Sequence, residues 1–443
     1  MKDAEKENSK QRVFSLLKTI GSTAVKAGNE ALRKKLNMSS DESFSVSHAA
    51  IRLTKGLDEL KGAAMKVGQI LSMMDEQLLP KGWKEALSKL QAEATPRPWQ
   101  EIEPIIRAEL GSLDDFSVIE RESVHAASIA QVHCAYLKNG QKVAIKVQYP
   151  GLEKNIKSDL ISMKRLIKLA NIMPNMDNYD NLFIAAEEMF KQELDFEREK
   201  IFYDLYHKKF KNNPDIIIPK TITHLCTKRI LVTEWIDGLN LQKWIDLHED
   251  KTEERNKIGV LMFEVIFTEI LLLNHIQSDP NPGNFLVSKD NKLVLLDFGA
   301  TQVLGRDLVN SYVNLLQAGL KESRNEVLRH AKKLGFIETG DSDNIRDSFV
   351  KIFHLALEPF LVETYCWLNC SLTKRMNAET FLYMKLTKYR APSGEILFMN
   401  RRLAGNLMLI EKLGSVFSAR EIFLRILHIK KSQQQKDEDI CSF

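Results

Sequence analysis

Apolar positions recur along this chain at two spacings. At the start, Val13, Leu17, Ile20, Ala24, Ala27 and Ala31 step by three or four, which is one face of a helix. Met38–Ser47 reads as a Ser- and acid-rich linker. A second helical block runs from His48 to about Met74, with small residues Gly62, Ala63, Ala64 and Gly68 that suit close approach of another backbone. Pro80 ends it. Trp83–Ala94 and Trp99–Leu110 read as further helices, the latter stopped by Gly111. The period then switches to two. Phe116–Arg121, Gln131–Leu137 and Lys142–Gln148 are predicted strands, with a hairpin turn at Asn139-Gly140. A long helical stretch follows from Leu152 to about Lys211, then strands at Ile216–Pro219 and Arg229–Glu234. Helices are expected over Leu241–Leu247 and Glu254–Asn274. A short hairpin pairs Phe285–Val287 with Leu293–Leu296 around Lys289–Lys292, and after Ala300 helical patterns continue to about Lys431, ahead of a polar, loose tail.

Composition narrows the class. The chain has 443 residues, 44% hydrophobic and 28% charged, the make-up of an ordinary globular protein with two or three packed units. The net charge is +4, and residues 1–40 hold nine Lys or Arg against four Asp or Glu. Such a basic amphipathic helix suits a solvated face or an anionic lipid surface. Nothing in the pattern points to nucleic acid. Five scattered cysteines, with no second pair or nearby His beside Cys366 and Cys370, favour free thiols in a reducing compartment over a zinc site. The opening MKDAEKENSK lacks an apolar region and carries Asp3, Glu5 and Glu7, so neither a secretory signal nor a matrix presequence is expected. The longest apolar run, Leu261–Leu273, contains Glu264 and Glu269 and falls short of the ~20 residues that span a bilayer.

The densest chemistry lies in Ser278–Ala300, SDPNPGNFLVSKDNKLVLLDFGA. Asp279 is followed five residues later by Asn284, then by the hairpin, then by Asp297-Phe298-Gly299. Protein kinases space their chemistry this way: an Asp orients the attacking hydroxyl, an Asn in the same loop holds one Mg²⁺, and the DFG Asp bridges metal to phosphate. Either motif alone is weak, but the two in register across a hairpin are far harder to obtain by accident. Upstream, in kinase order, the third strand carries Val143-Ala144-Ile145-Lys146, the pattern of a phosphate-binding lysine. The loop between the first two strands, Val124–Ala130, has no glycine, so it must cover phosphates in another shape than the glycine-rich kinase loop. Lys146 needs a helical carboxylate partner, and spacing does not choose it. Glu193 and Glu199 are six apart, about 240° round a helix, so they cannot serve one partner from one straight face.

Taken together, LKGAAMKVGQILS, HAASIAQVH, VAIKVQYPG, KQELDFERE, SDPNPGNF and LLDFGA resemble, in order, the UbiB/AarF (ADCK-type) family of atypical kinase-like proteins. The resemblance is dense over Val46–Ala300 and looser to about Gly414. It implies an α+β, bilobal protein-kinase-like fold, with a small β-sheet N-lobe, a helical C-lobe and an N-terminal helical extension over the active site. The expected division is 1–45, a polar tail and basic helix; 46–112, the extension; 113–236, the N-lobe with a long helical insert; and 237–443, the C-lobe. The resemblance implies that Lys66 and Gln69 form a Lys-x-Gly-Gln motif and that Glu193 and Asp195 form its Glu-x-Asp partner. It also implies that Lys146 pairs with Glu199, that Asp279 is the catalytic-loop Asp, and that Asn284 and Asp297 hold metal. Ala126, Ala127 and Ser128 correspond to an alanine-rich nucleotide loop, and Glu234 at the crossover joins the nucleotide set. Ala130 stands where the family usually has glycine.

The expected function is that of an Mg²⁺-dependent, ATP-using enzyme, either an ATPase or a small-molecule or lipid kinase, in ubiquinone or isoprenoid-lipid metabolism. Its expected setting is peripheral to a membrane, from the cytoplasm or the mitochondrial matrix, with an isoprenoid or quinone-like lipid and a lipid-biosynthesis complex as partners. Two rivals are a nucleotide-binding scaffold without turnover and a Ser/Thr protein kinase.

Overall fold

The computed structural model describes residues 96–127, 129–152, 160–161, 180–388, 390 and 394–441. The chain divides into two compact units, Met1–Asp195 with Thr227–Leu231, and Phe196–Cys226 with Val232–Phe443.

In the first unit, α1 (Trp99–Leu110) buries Ile102, Ile105 and Ile106 at helical spacing. It stops at Gly111, which takes φ 72° and returns its N–H to the Arg107 carbonyl at 2.9 Å. Strands β1 (Phe116–Ala126), β2 (Ala130–Leu137) and β3 (Lys142–Gln148) form an antiparallel meander, and Ile230 and Leu231 belong to the strand next to β3. Over Lys142–Val147 β3 alternates: Val143, Ile145 and Val147 are fully buried, whereas Lys142, Ala144 and Lys146 are half-buried on the opposite face, and Gln148 at the end is buried as well. The β1 strand runs five residues beyond the predicted end at Arg121, pairing His125 with Val132 and Ala126 with Gln131. Register shifts along β1 absorb the extra length, so the glycine-free turn narrows to a bond from Ala127 N–H to the Ala130 carbonyl at 2.8 Å. The described end of this unit is α2 (Asp180–Glu193).

The second unit opens with α3 (Phe196–Phe210), so the predicted continuous helix is broken at Leu194-Asp195. The elements β4 (Ile216–Ile217), β5 (Ile230–Glu234), β6 (Gly238–Asn240), α4 (Leu241–Leu247) and α5 (Thr252–Thr268) follow. A π turn over Glu269–Leu273 and a left-handed Asn274 (φ 52°) lead into β7 (His275–Gln277). The hairpin β8 (Phe285–Ser288) and β9 (Leu293–Leu295) matches the predicted one and sits in a sheet ordered β4-β9-β8-β6. Beyond it, β10 (Thr301–Val303) pairs antiparallel with β7. The remainder is helical: α6 (Arg306–Leu320), α7 (Arg324–Lys333), α8 (Asp343–Leu357), then β11 (Tyr365–Cys366), α9 (Leu372–Leu386), α10 (Gly394–Leu413), β12 (Val416–Phe417) and α11 (Ala419–Cys441). The core centres on α5, whose Ile258, Met262, Phe263, Val265 and Ile266 are at most 1% exposed.

Two expectations are corrected. The region after Ala300 is not purely helical, because β10, β11 and β12 are too short for a period of two to register. The polar tail QQQKDED continues α11 rather than lying loose, since Gln, Lys and Glu are good helix formers even without an apolar face. Among the described residues no helix is long and apolar enough to cross a membrane. Residues 1–95 lie outside the described residues; they hold the expected basic helix and the part of the N-terminal extension with Lys66, Gln69 and the expected Trp83–Ala94 helix, while α1 is the described part of that extension.

Candidate active site

The loop after β7 is held by its own polar side chains. Asn281 accepts the Gly283 N–H at 2.8 Å and caps a single 3₁₀ turn over Pro282–Asn284. Asn284 then turns its Nδ2 back onto Asp279, donating to the main-chain carbonyl and to Oδ2, each at 3.1 Å. Spending Nδ2 in this way fixes the amide orientation, and among the described residues no hydrogen bond occupies Oδ1. The Leu296 N–H donates to the Asn284 carbonyl at 2.8 Å, which brings Asp297 alongside the Asp279 loop. Asp297 adopts a left-handed conformation (φ 59°), tolerable for Asp because its Oδ1 accepts the Gly299 N–H at 3.1 Å.

Gln277 ties the two loops together. Its Nε2 donates to the Asp297 carbonyl at 3.0 Å and its Oε1 accepts the Asp279 N–H at 2.9 Å. A main-chain carbonyl only accepts and an amide N–H only donates, so the Gln277 amide has one allowed orientation. The side chain is 4% exposed, so the bridge is dry and rigid.

Helix α3 supplies the backing. Phe298 is buried against Tyr203 and Tyr206, with ring centroids at 4.7 and 4.4 Å. Tyr203 Oη accepts the Asp297 N–H at 3.1 Å. Arg198 donates to the Gly299 carbonyl at 3.2 Å and also to that of Thr301. Glu199 is fully buried, and a Cβ built on Gly299 would stand 3.3 Å from Glu199 Oε2 and 3.2 Å from Asp297 Oδ1. Two carboxylates therefore flank this glycine. The hard oxygen donors of Asp297 and Asn284, on adjacent loops, suit a small divalent cation such as Mg²⁺.

A helix more than a hundred residues downstream closes the cluster. Arg401 on α10 places Nη2 3.5 Å from Asp279 Oδ1, with side-chain exposures of 10% and 18%. The helix is fixed just beyond this contact. Arg402 and Glu269 form a buried pair at 3.3 and 3.4 Å, and Asn406 Nδ2 donates to the Met262 carbonyl at 3.2 Å. Burial alone pushes the Glu269 carboxyl up, and the Arg402 guanidinium opposes it.

The other expected site residues are placed as follows. Lys146 lies in the first unit, opposite Val132 in the β2–β3 register. Glu193 is the buried last residue of α2 and Asp195 follows it half-buried, while Gln148 Nε2 donates to the intervening Leu194 carbonyl at 2.9 Å. Ala126 ends β1 and Ala127 follows it; Ser128 is outside the described residues. Glu234 ends β5 in the second unit, where Oε2 accepts the Lys220 N–H at 3.1 Å, so its carboxylate is engaged in holding Lys220. The structure thus brings Glu199, Asp279, Asn284 and Asp297 together within one unit. It adds Arg198, Tyr203, Gln277 and Arg401, which no sequence motif singled out. Arg198 lies inside KQELDFERE with no role assigned to it there, and Gln277 stands two positions before Asp279 on a short strand.

An α+β chain with a small antiparallel sheet in one unit, a mainly helical second unit, and an Asp–Asn–DFG cluster defines the protein-kinase-like class. A profile of the ABC1 atypical kinase-like domain matches residues 89–331, and the chain belongs to that family. It is 30% identical over 382 residues to the mitochondrial atypical kinase COQ8 of Schizosaccharomyces pombe, covering 85% of this chain and 62% of that protein. It is 28% identical over 393 residues to the mitochondrial atypical kinase COQ8B of Danio rerio, covering 87% and 62%. The chain therefore spans about three fifths of the length of these two relatives. A solved complex of Rv3197 with erythromycin from Mycobacterium tuberculosis is 27% identical, covers 85% of this chain and 94% of that one, and has a TM-score of 0.59.

Proposed function

We propose that this protein is an Mg²⁺-dependent, ATP-using atypical kinase, acting as an ATPase or on a small hydroxylated lipid, in ubiquinone or other isoprenoid-lipid metabolism at a membrane surface. The observation that carries this reading is the bond from Leu296 N–H to the Asn284 carbonyl, which assembles Asp279, Asn284 and Asp297 into one polar cluster. Asn284 and Asp297 would hold the metal, which lowers the charge on the transferring phosphate when bound. Lys146 is assigned the α/β-phosphates and Glu199 its carboxylate partner. Ala126, Ala127 and Ser128 are assigned the phosphate-covering loop, and the Glu234 main chain the adenine edge. Asp279 orients an acceptor oxygen. As its new bond to the γ-phosphorus forms, the old bond to the β,γ-bridging oxygen breaks, its electron pair leaves with ADP, and the acceptor's proton passes to Asp279 or to solvent.

Lys66 and Gln69, with Glu193 and Asp195, are assigned to a cover that excludes protein substrates and admits water or a small hydroxyl. The kinases it resembles are named mitochondrial, which supports a mitochondrial setting; inner-membrane association and a lipid-biosynthesis complex as partner are assigned with it as part of this reading. The decisive test is Asp297→Asn, which keeps the shape and removes the charge. Mg-ATP turnover should fall by about 100-fold or more, measured as phosphate release with and without lipid-like phenols. Full turnover in that variant would remove the reading. Tight ATP binding by the wild type with no turnover would favour a nucleotide-binding scaffold.

A further inference from the structure

The polar inventory around Asp279 does not close. Arg401 Nη2 reaches Asp279 Oδ1 only at 3.5 Å, the far limit of a hydrogen bond, and Arg401 Nη1 is buried with no hydrogen-bond partner. A guanidinium has five donors, and burying one of them unpaired in a folded interior is unfavourable unless something else fills it. A residue serving only as the counter-ion of Asp279 would bring both terminal nitrogens onto the carboxylate, as Arg390 brings Nη1 and Nη2 onto Asp341 at 3.1 and 2.8 Å elsewhere in this unit.

The position of Arg401 is imposed by its helix. A Cβ built on Gly405, one turn on, would lie 2.3 Å from both Cβ and Cγ of Pro280, so α10 meets the Asp279 loop at backbone distance only because residue 405 is glycine. The Arg402–Glu269 pair and the Asn406 bond to Met262 prevent rotation away from this contact. The loop itself, Asp279-Pro280-Asn281-Pro282-Gly283-Asn284, contains no cation, and Asn281 Oδ1 is committed to the Gly283 N–H. Phosphoryl transfer develops negative charge on oxygens beside the acceptor and calls for a fixed cation there.

We propose that Arg401 is the anion-binding group of this site, offering Nη1 and Nη2 to two oxygens of the phosphoryl group as it leaves ATP and holding the phosphate beside Asp279. This rests on the ATP-using reading above. The planar fork matches two oxygens of a phosphate, which a lysine cannot do.

The test uses the full chain with Arg401→Met and Arg401→Lys, titrated with Mg-ADP alone and with Mg-ADP plus orthovanadate, a phosphate mimic. In the wild type vanadate should tighten Mg-ADP binding. In Arg401→Met, Mg-ADP affinity should stay within about twofold while the vanadate gain falls by about tenfold or more; Arg401→Lys should recover part of it. Turnover should fall by about 100-fold in Arg401→Met. An unchanged vanadate gain in Arg401→Met overturns the inference alone. Failure of the wild type to bind Mg-ADP or Mg-ATP overturns the parent reading and this one with it. Should Arg401→Met not fold, the vanadate gain of Arg401→Lys decides: a reduction of several-fold supports the assignment, and wild-type behaviour overturns it.

Discussion

His133 on β2 shows how neighbours set the chemistry of one side chain. Arg97 N–H donates to Gln131 Oε1 at 2.7 Å, which forces the Gln131 amide to present Nε2 to His133 Nε2 at 2.9 Å. His133 Nδ1 lies 2.8 Å from the Glu120 carbonyl and must donate to it. The neutral ring with its proton on Nδ1 satisfies both contacts; a second proton on Nε2 would meet a donor. Burial accordingly pulls the imidazole below its ordinary value, with the Glu120 carbonyl opposing. The unfolded chain then binds a proton that the folded sheet rejects. Stability should be full above about pH 6.5 and fall as pH drops from there to the lowered folded value. Denaturant titrations at pH 7.5 and 5.5 should show a larger loss for the wild type than for His133→Gln. Equal losses would mean that His133 does not carry the effect. None of this could be read from the motif, because a histidine inside a strand says nothing of what its ring nitrogens meet.

Among elements, α10 contributes most to the site that its own pattern does not announce. Its buried positions, Ile396, Met399, Arg402, Asn406, Leu409, Ile410 and Leu413, follow a helical face, but two of them are polar and find hydrogen-bond partners in the π turn and α5. Gly405 is helix-weakening on propensity and is explained only by Pro280. Gly405→Ala should therefore cost about 1–3 kcal/mol and lower Mg-ATP turnover as α10 is pushed off the Asp279 loop. Gly394→Ala on the same helix, where the nearest heavy atom is 3.9 Å away, should do neither. Thermal unfolding and phosphate-release assays of the two variants distinguish local crowding from a general aversion to change in α10. Helix α3 teaches a related lesson. The question of how Glu193 and Glu199 could share one straight helix dissolves, because they lie on separate helices in separate units.

At the scale of the whole molecule, the basic start of the chain and the Lys-x-Gly-Gln segment belong with the membrane and cover parts of the proposal. Anionic vesicles should raise Mg-ATP turnover, and Lys66→Ala should change that increment. The vesicle effect should weaken at high salt, since the screening length shrinks from about 10 Å at 0.1 M to about 3 Å at 1 M. Turnover indifferent to vesicles in both proteins would detach membrane association from this site.

What sequence determined by itself was everything encoded at short range. The Asp279–Asn284 spacing, the DFG hairpin, the Lys146 strand and the end of α1 at Gly111 are each specified by residues within a few positions of one another, where backbone preference and local hydrogen bonds decide. Tertiary structure decided the contacts whose partners lie far apart in the chain. Arg401 meets Asp279 across 122 positions, Arg402 meets Glu269 across 133, and Tyr203 reaches Asp297 across 94. Such pairings follow from how whole helices pack against one another, and the residues between them carry no local signal of it.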